Sequence, residues 1–336
     1  MVCQEGDQLS ESSVRISLMT KTILVTGVAG FIGFHSSKKL LEEGWQVIGI
    51  DNLNDYYDPR YKQERLKILE EFEGFVFYKT DILDQEKLRK IFSEHQPQVV
   101  LHLAALVGVR PSIINPLPYT QVNVLGTQHV FESVKEFAVS RVVYASSSSV
   151  YGDRSEIPFR ENDSTDPISP YAATKRAAEL LAHTYHHLHQ TEMIGLRFFT
   201  VYGPHGRPDM APYLFTEAIL ENKPIEMFGD GSSARDYTHI DDVVSGVVAS
   251  LTAPDLKHEI INLGNSEPIK LKDFIRELEE VTGKQAKIKR LPNQPGDVRQ
   301  TFADISKAKK LLNYQPKTNL SEGLKKFVDW YKAHRQ

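Results

Sequence analysis

One cysteine, Cys3, stands in 336 residues, so no disulfide can close within the chain and no cysteine cluster can hold a metal. Positive charge is not in excess either. Forty lysines and arginines face 44 acidic residues, a formal net charge of −4, which gives no general basic field for nucleic acid. No apolar run approaches the roughly 18 residues that a membrane-spanning helix needs. Residues 1–18 are polar and lack the apolar stretch of a secretory leader. They read as a tail or an alternative start, with Met19 close ahead of the first strand. No internal repeat and no low-complexity tract is present. What remains is ordinary globular composition, 40% hydrophobic and 25% charged, at a length that calls for one large or two joined domains. The single cysteine fits a reduced, cytoplasmic setting. No metal site is expected.

The N-terminal half carries a nucleotide-binding pattern. Thr22–Thr26 is a short β-rich run leading into Gly27-Val-Ala-Gly30-Phe-Ile-Gly33. A helix is expected from about Phe34 to Glu43, and a second strand over Trp45–Ile50, ending in Asp51. Strand, glycine turn, helix, strand and acid make the dinucleotide-binding unit. Gly27 serves the tight turn, Gly30 lets backbone approach a pyrophosphate, and Gly33 allows close helix–strand packing. The helix N-terminus then faces phosphate oxygens. The spacing is Gly-x-x-Gly-x-x-Gly rather than Gly-x-Gly-x-x-Gly, so the acid at the next strand's end adds most to the signal. A carboxylate there accepts from both ribose hydroxyls and repels a 2′-phosphate, which predicts NAD over NADP.

Further strands are expected at 75–80, 98–103, 142–145 and 193–197, with helices at 86–95, 123–138 and 171–188 between them. The alternation predicts an α/β fold, a doubly wound parallel sheet of the Rossmann type that binds ligand at the carboxyl ends of its strands. Ala104 and Ala105 suit a place where cofactor crosses a strand end, although simple packing explains them equally. After Thr200 prolines and glycines cluster in long loops bearing arginines and aromatics. Helices are then expected at about 240–251, 273–281 and 320–334, and a short strand at 259–263. The chain therefore divides into a tail (1–18), a dinucleotide-binding domain with the catalytic residues (19–200), and a smaller α/β substrate lobe (201–336) with segments returning to the core.

The candidate chemistry lies where strand 142–145 runs into a serine-rich turn and Ser169-Pro170-Tyr171 opens a helix. Ser169 can cap that helix and Pro170 suits its first position. Tyr171 and Lys175 are four residues apart and share one face. An ammonium near a phenol favours the phenolate, so Tyr171 is expected to act as a base with a lowered pKa. Alone, Tyr-x-x-x-Lys also occurs as a surface pair; the nucleotide-binding half gives it weight.

These residues together resemble the extended short-chain dehydrogenase/reductase family, in its nucleotide-sugar epimerase and dehydratase branch, from about Lys21 to Tyr331. The closer likeness is to epimerases acting on UDP-glucuronate. It is carried by Asp51–Asp58, His102–Arg110, Arg197–Ala211 and the run from Gly296 to Ser306. The resemblance implies that Tyr171 is the base, Lys175 its electrostatic partner and ribose anchor, and Ser147 the assisting hydroxyl. It implies that Phe31, Ile32, Asp51, Asn52, Asp81 and Ile82 line NAD, and that Arg235 and Arg299 hold the diphosphate of a UDP-sugar. Dehydratases of the branch carry Asp-Glu just before Val-Tyr-Gly, and decarboxylating relatives a Glu. Here Ser148 and Ser149 stand there, which argues against both chemistries. The implied reaction is reversible oxidation at C4 with reduction on the other face.

A uronate substrate passes through a β-keto acid that can lose carbon dioxide, so its carboxylate needs a clamp. Thr200 and Arg207 are the candidates, since a forked guanidinium fixes a carboxylate in direction as well as position. A solvated loop arginine is the alternative reading of Arg207. Arg110 is a further substrate-binding candidate. UDP-glucose is the rival substrate, and a non-catalytic NAD-binding protein the rival function. A homodimer through the helices at 123–138 and 171–188 is expected from the resemblance, with no membrane or nucleic-acid partner.

Overall fold

The computed structural model describes residues 21–292 and 298–334. The expectations about residues 1–18 lie outside these, as do Gly296 and Asp297. The first half alternates β1 (Thr22–Thr26), α1 (Phe31–Glu42), β2 (Gln46–Asp51), α2 (Arg60–Leu69), β3 (Phe75–Lys79), α3 (Gln85–His95) and β4 (Val99–His102). Two short helices follow, α4 (Val109–Ile114) and α5 (Leu117–Thr120). A π-helical turn over Gln121–Gly126 then leads into α6 (Thr127–Glu136), β5 (Arg141–Ser147), α7 (Pro170–His189) and β6 (Glu192–Phe198). The second half runs β7 (Thr200–Tyr202), α8 (Ala211–Leu220), β8 (Pro224–Phe228), β9 (Ala234–His239), α9 (Ile240–Thr252), β10 (His258–Leu263), β11 (Pro268–Lys270), α10 (Leu271–Thr282), β12 (Lys287–Leu291), α11 (Ser306–Leu312) and α12 (Leu320–His334).

Seven strands form one parallel sheet in the order β10-β6-β5-β4-β1-β2-β3. Both faces are covered, which is why these strands read as nearly unbroken apolar runs. On one face Ile23, Val25, Val143 and Ile194 pack with Phe34 and Leu40 of α1 and Val243 and Val247 of α9. On the other, Leu24, Val100 and Val142 pack with Phe92 of α3, Val130 and Phe131 of α6, and Tyr185 of α7. A third cluster, including Tyr213, Ile225, Tyr237, Phe274 and Phe327, is the core of the second lobe, between α8, β8, β9, α10 and α12.

Sheet order reverses direction between β1 and β4, which opens a crevice at their carboxyl ends. The second half lends β10 and α9 back to the large sheet and its cover. Three differences from the sequence reading bear on the site. Helix α1 begins at Phe31, with Gly30 as its N-cap, so the turn is shorter than expected. The expected helix over 123–138 begins as the wide π turn, a feature common at functional sites. The loops after Thr200 contain α8, β8 and β9; β9 reads Ala-Arg-Asp-Tyr-Thr-His, with no apolar alternation to reveal it.

Candidate active site

The glycine turn is fixed by sterics. Gly27 sits at φ +72°, and a Cβ there would lie 2.7 Å from the Ala104 nitrogen. A Cβ on Gly33 would lie 2.1 Å from the Gly27 carbonyl oxygen, so α1 can approach β1 only without a side chain there. Gly30 offers no side-chain cap, and Phe31 and Ile32 follow it at the wall of a cavity of about 780 Å³. The uncapped amides of the first turn suit an anion. Gly27, Gly30 and Gly33 line the same cavity, as do Asp51, Asn52, Asp81, Ile82, Ala104 and Ala105.

Asp51, at the end of β2, accepts from the Leu53 nitrogen at 2.8 Å and the Ala29 nitrogen at 3.1 Å. Burial pushes its carboxyl up, while the Lys62 ammonium and those two N–H groups pull it down. The Lys62 nitrogen lies 3.9 Å from Asp51 Oδ1 and donates to the Asn54 carbonyl and side chain at 3.0 and 2.9 Å. Asn52 donates to Asp81 at 2.8 Å. A cradle closed to side chains, free helix amides and a carboxylate at the neighbouring strand end fit an adenine dinucleotide.

At the other end of the cavity lie Ser147, Tyr171 and Lys175. Strand β5 delivers Ser147, whose oxygen accepts from the Ser149 nitrogen at 3.2 Å and hydroxyl at 2.9 Å. Helix α7 delivers the other two. Ser169 caps it through the Ala172 nitrogen at 3.2 Å, with Pro170 at the first position, as the sequence predicts. The Lys175 ammonium donates to the Ala145 carbonyl at 3.0 Å and sits 6.0 Å from the Tyr171 ring centre.

The electrostatics correct one expectation. Burial pushes the Tyr171 phenol up; the Ser147 hydrogen bond and the Arg207 guanidinium pull against it. Burial also lowers Lys175 to about 8. The ammonium donates to Ala145 and lies 6.0 Å from the ring centre, and burial of the phenol itself outweighs what pulls it down.

Arg110, Thr200, Arg207 and Arg235 line the cavity. The Arg110 guanidinium stacks 4.5 Å from the Phe228 ring centre. Arg299 is not brought there: its side chain is 80% exposed, 3.5 Å from Asp153. Backbone bonds tie this segment to Ala234, with Ala234 N to Arg299 O at 3.0 Å and Thr301 N to Ala234 O at 3.1 Å. Val298 and Thr301 line the cavity instead.

Several residues at the site went unread in the sequence. Asn123, in the π turn, bonds both the nitrogen (2.8 Å) and the oxygen (2.9 Å) of Leu106 and reaches Thr174 of α7 at 3.0 Å. It thereby ties the β4 exit to the helix bearing Tyr171. Arg65 donates to the Ala29 carbonyl at 2.9 Å, the Tyr57 hydroxyl at 2.7 Å and the His205 carbonyl at 2.8 Å. One buried guanidinium thus joins the glycine turn to the loop carrying Arg207. Tyr56, at the cavity wall, lies under Arg207, 5.7 Å from ring centre to guanidinium. Its place in the Asp51–Asp58 run was visible, but no local pattern marks Tyr56 and Tyr57, which both line the cavity, as part of the site.

Residues 24–327 match the model of the family described as GDP-mannose 4,6 dehydratase. The UDP-glucuronate 4-epimerase of Thermodesulfobacterium geofontis is 50% identical over 313 residues, covering 93% of this chain and 96% of that protein. A structure of UDP-glucuronic acid 4-epimerase from Bacillus cereus, in complex with UDP-glucuronic acid and NAD, is similar with a TM-score of 0.89 at 40% identity, covering 93% of this chain and 99% of that one. UDP-glucose 4-epimerase of Thermotoga maritima, with UDP-glucose, gives a TM-score of 0.87 at 32% identity, covering 94% and 100%.

Proposed function

Because the chain belongs to the GDP-mannose 4,6 dehydratase family of extended short-chain dehydrogenases/reductases, we propose that it is an NAD-dependent UDP-sugar 4-epimerase interconverting UDP-glucuronate and UDP-galacturonate. The observation that carries this reading is a single cavity holding both the glycine turn with Asp51 and the Ser147, Tyr171 and Lys175 set. The family's dehydrating members need a carboxyl acid and base beside the sugar; Ser148 and Ser149 line the cavity at that place, and neither moves a proton as a carboxyl does. Intact Tyr171 and Lys175 speak against a purely binding role.

NAD, when bound, supplies a reversible hydride acceptor that is regenerated each turnover. Gly27, Gly30, Phe31, Ile32 and Gly33 would hold its pyrophosphate side, and Asp51 and Asn52 its adenosine ribose. Tyr171 would exchange the proton of the C4 hydroxyl, with Ser147 bonded to the same oxygen and Lys175 lending positive charge. Arg235 would meet the diphosphate. Thr200 and Arg207 would hold the C6 carboxylate so that its bond to the ring cannot align with the C4 carbonyl, which suppresses decarboxylation. Support for this clamp comes from Arg207's place at the cavity wall within electrostatic reach of Tyr171.

The test compares kcat/KM for UDP-glucuronate and UDP-glucose in wild type and Arg207→Ala, with products separated by chromatography. Wild type should favour the uronate. The variant should lose roughly 2–5 kcal/mol of uronate preference, the cost of a desolvated, unpaired anion, and leak UDP-pentose. Faster turnover of UDP-glucose by wild type would transfer the assignment to the neutral sugar.

A homodimer through α6 and α7 is part of the same reading. Leu180 and Leu188 on α7 are 54% and 64% exposed, and Leu125 just before α6 is 47% exposed. Light scattering at micromolar concentration should report twice the chain mass; a monomer rejects the dimer. A cytoplasmic location suits the single cysteine.

A further inference from the structure

Arg207 already has a carboxylate partner within the chain. Its Nε donates to Asp209 Oδ1 at 3.0 Å and its Nη2 to Asp209 Oδ2. Both side chains line the cavity. The contact is local: the two residues are separated by Pro208, and the Met210 nitrogen donates to the Arg207 carbonyl at 3.3 Å, closing the turn. A guanidinium presents two forked edges to carboxylates. The Nε–Nη2 edge is taken by Asp209, and one face lies over Tyr56. A sugar carboxylate therefore meets an arginine whose charge is largely matched, and it brings a second negative charge towards Asp209.

We propose that Asp209 sets the sugar selectivity of this cavity, acting as an internal competitor that limits how strongly Arg207 can favour a uronate over a neutral sugar. The inference rests on the reading that Arg207 meets the substrate carboxylate. With Asp209 charged, a uronate is bound against a like charge across one guanidinium. A neutral sugar does not meet that repulsion. Removing the charge while keeping an oxygen for Nε should tighten uronate binding selectively.

The experiment uses NAD-loaded protein in a Tyr171→Phe background, so that ligand is bound and not converted. Dissociation constants for UDP-glucuronate and UDP-glucose are measured by titration calorimetry at low salt. Asp209→Asn should raise the uronate preference at least about fivefold, a like-charge term discounted for partial exposure. Asp209→Ser should act in the same direction, and both gains should shrink as salt rises. Adding Arg207→Ala should lower the uronate preference of both Asp209 variants, because the guanidinium, not residue 209, attracts the carboxylate. If Arg207→Ala alone leaves the preference unchanged, the carboxylate clamp fails and this proposal falls with it. If Arg207→Ala lowers the preference while both Asp209 variants leave it unchanged or lower it, the clamp stands and this proposal is overturned; Asp209 then only holds the arginine in place.

Discussion

Removing the Glu179 carboxylate should loosen the frame that holds the Ser147 end of β5 against α7. Glu179 lies one turn after Lys175 on α7 and is 2% exposed, as is Arg197 of β6. Arg197 donates from Nε and Nη2 to the two carboxylate oxygens, both at 2.8 Å. Ser146, the residue before Ser147, donates to one of those oxygens at 2.6 Å, and Arg176 to the other at 2.7 Å. Burial works against the Glu179 charge, yet these partners hold its carboxyl below the usual range. Glu179→Ala leaves the Arg197 charge buried and without its partner, a loss of about 3–5 kcal/mol. The Tyr151 ring, 4.6 Å away, and the Glu161 carbonyl, 3.3 Å from Nη1, still face that guanidinium in the variant, which places the expectation at the lower end, about 3 kcal/mol. Glu179→Gln keeps one acceptor oxygen, for Ser146 and Arg197 Nε, and loses the charge and the acceptor for Arg197 Nη2 and Arg176, for about 1–3 kcal/mol. Urea unfolding followed by circular dichroism should show a lower midpoint for both variants at an unchanged slope, with Ala the more affected. In the folded range kcat should fall more than KM rises, since Ser147 shifts while Thr200, Arg207 and Arg235 stay in place. A Glu179→Ala midpoint within error of wild type would refute the reasoning, as would equal losses for Ala and Gln.

Tyr171→Phe keeps the ring and removes the acidic oxygen, so folding and NAD binding should survive while turnover falls at least about 100-fold, the lower range for a general base; near-normal activity removes Tyr171 from the mechanism. Acid should destabilise the fold through its buried imidazoles. Burial lowers His35 to about 4 and His102 to about 3, against an ordinary 6.5. Their stabilising contribution is complete above pH 6.5, and it is lost as pH falls towards 4 and 3, because the unfolded chain takes up protons that the folded one refuses. The two together give a slope approaching about 3 kcal/mol per pH unit near pH 5. The urea midpoint should therefore be clearly lower at pH 5 than at pH 7; an equal or higher midpoint contradicts it.

Local pattern alone determined much of the site. The glycine turn, the acid at the end of β2 and the Ser169-Pro170 helix start are readable because sterics, capping and strand period act over a few residues. The i, i+4 spacing of Tyr171 and Lys175 put both on one face before any contact was known. Helices α3, α7, α9, α10 and α12 were placed within two residues at each end for the same reason. Tertiary structure decided what depends on distant segments. Strand β10 joins the sheet beside β6 only because α9 carries the chain back across it. Lys62 and Arg65 sit on a helix that the sequence alone did not reveal, and the fold lays that helix against the glycine turn. Arg299 faces outward because backbone pairing with Ala234 fixes its neighbours' direction. The Tyr171 phenol is raised rather than lowered, since its pKa follows the water excluded by every surrounding element and not only the lysine four residues on. Sequence spacing sets which groups can share a face; burial, charge partners and packing across the fold set what those groups do there.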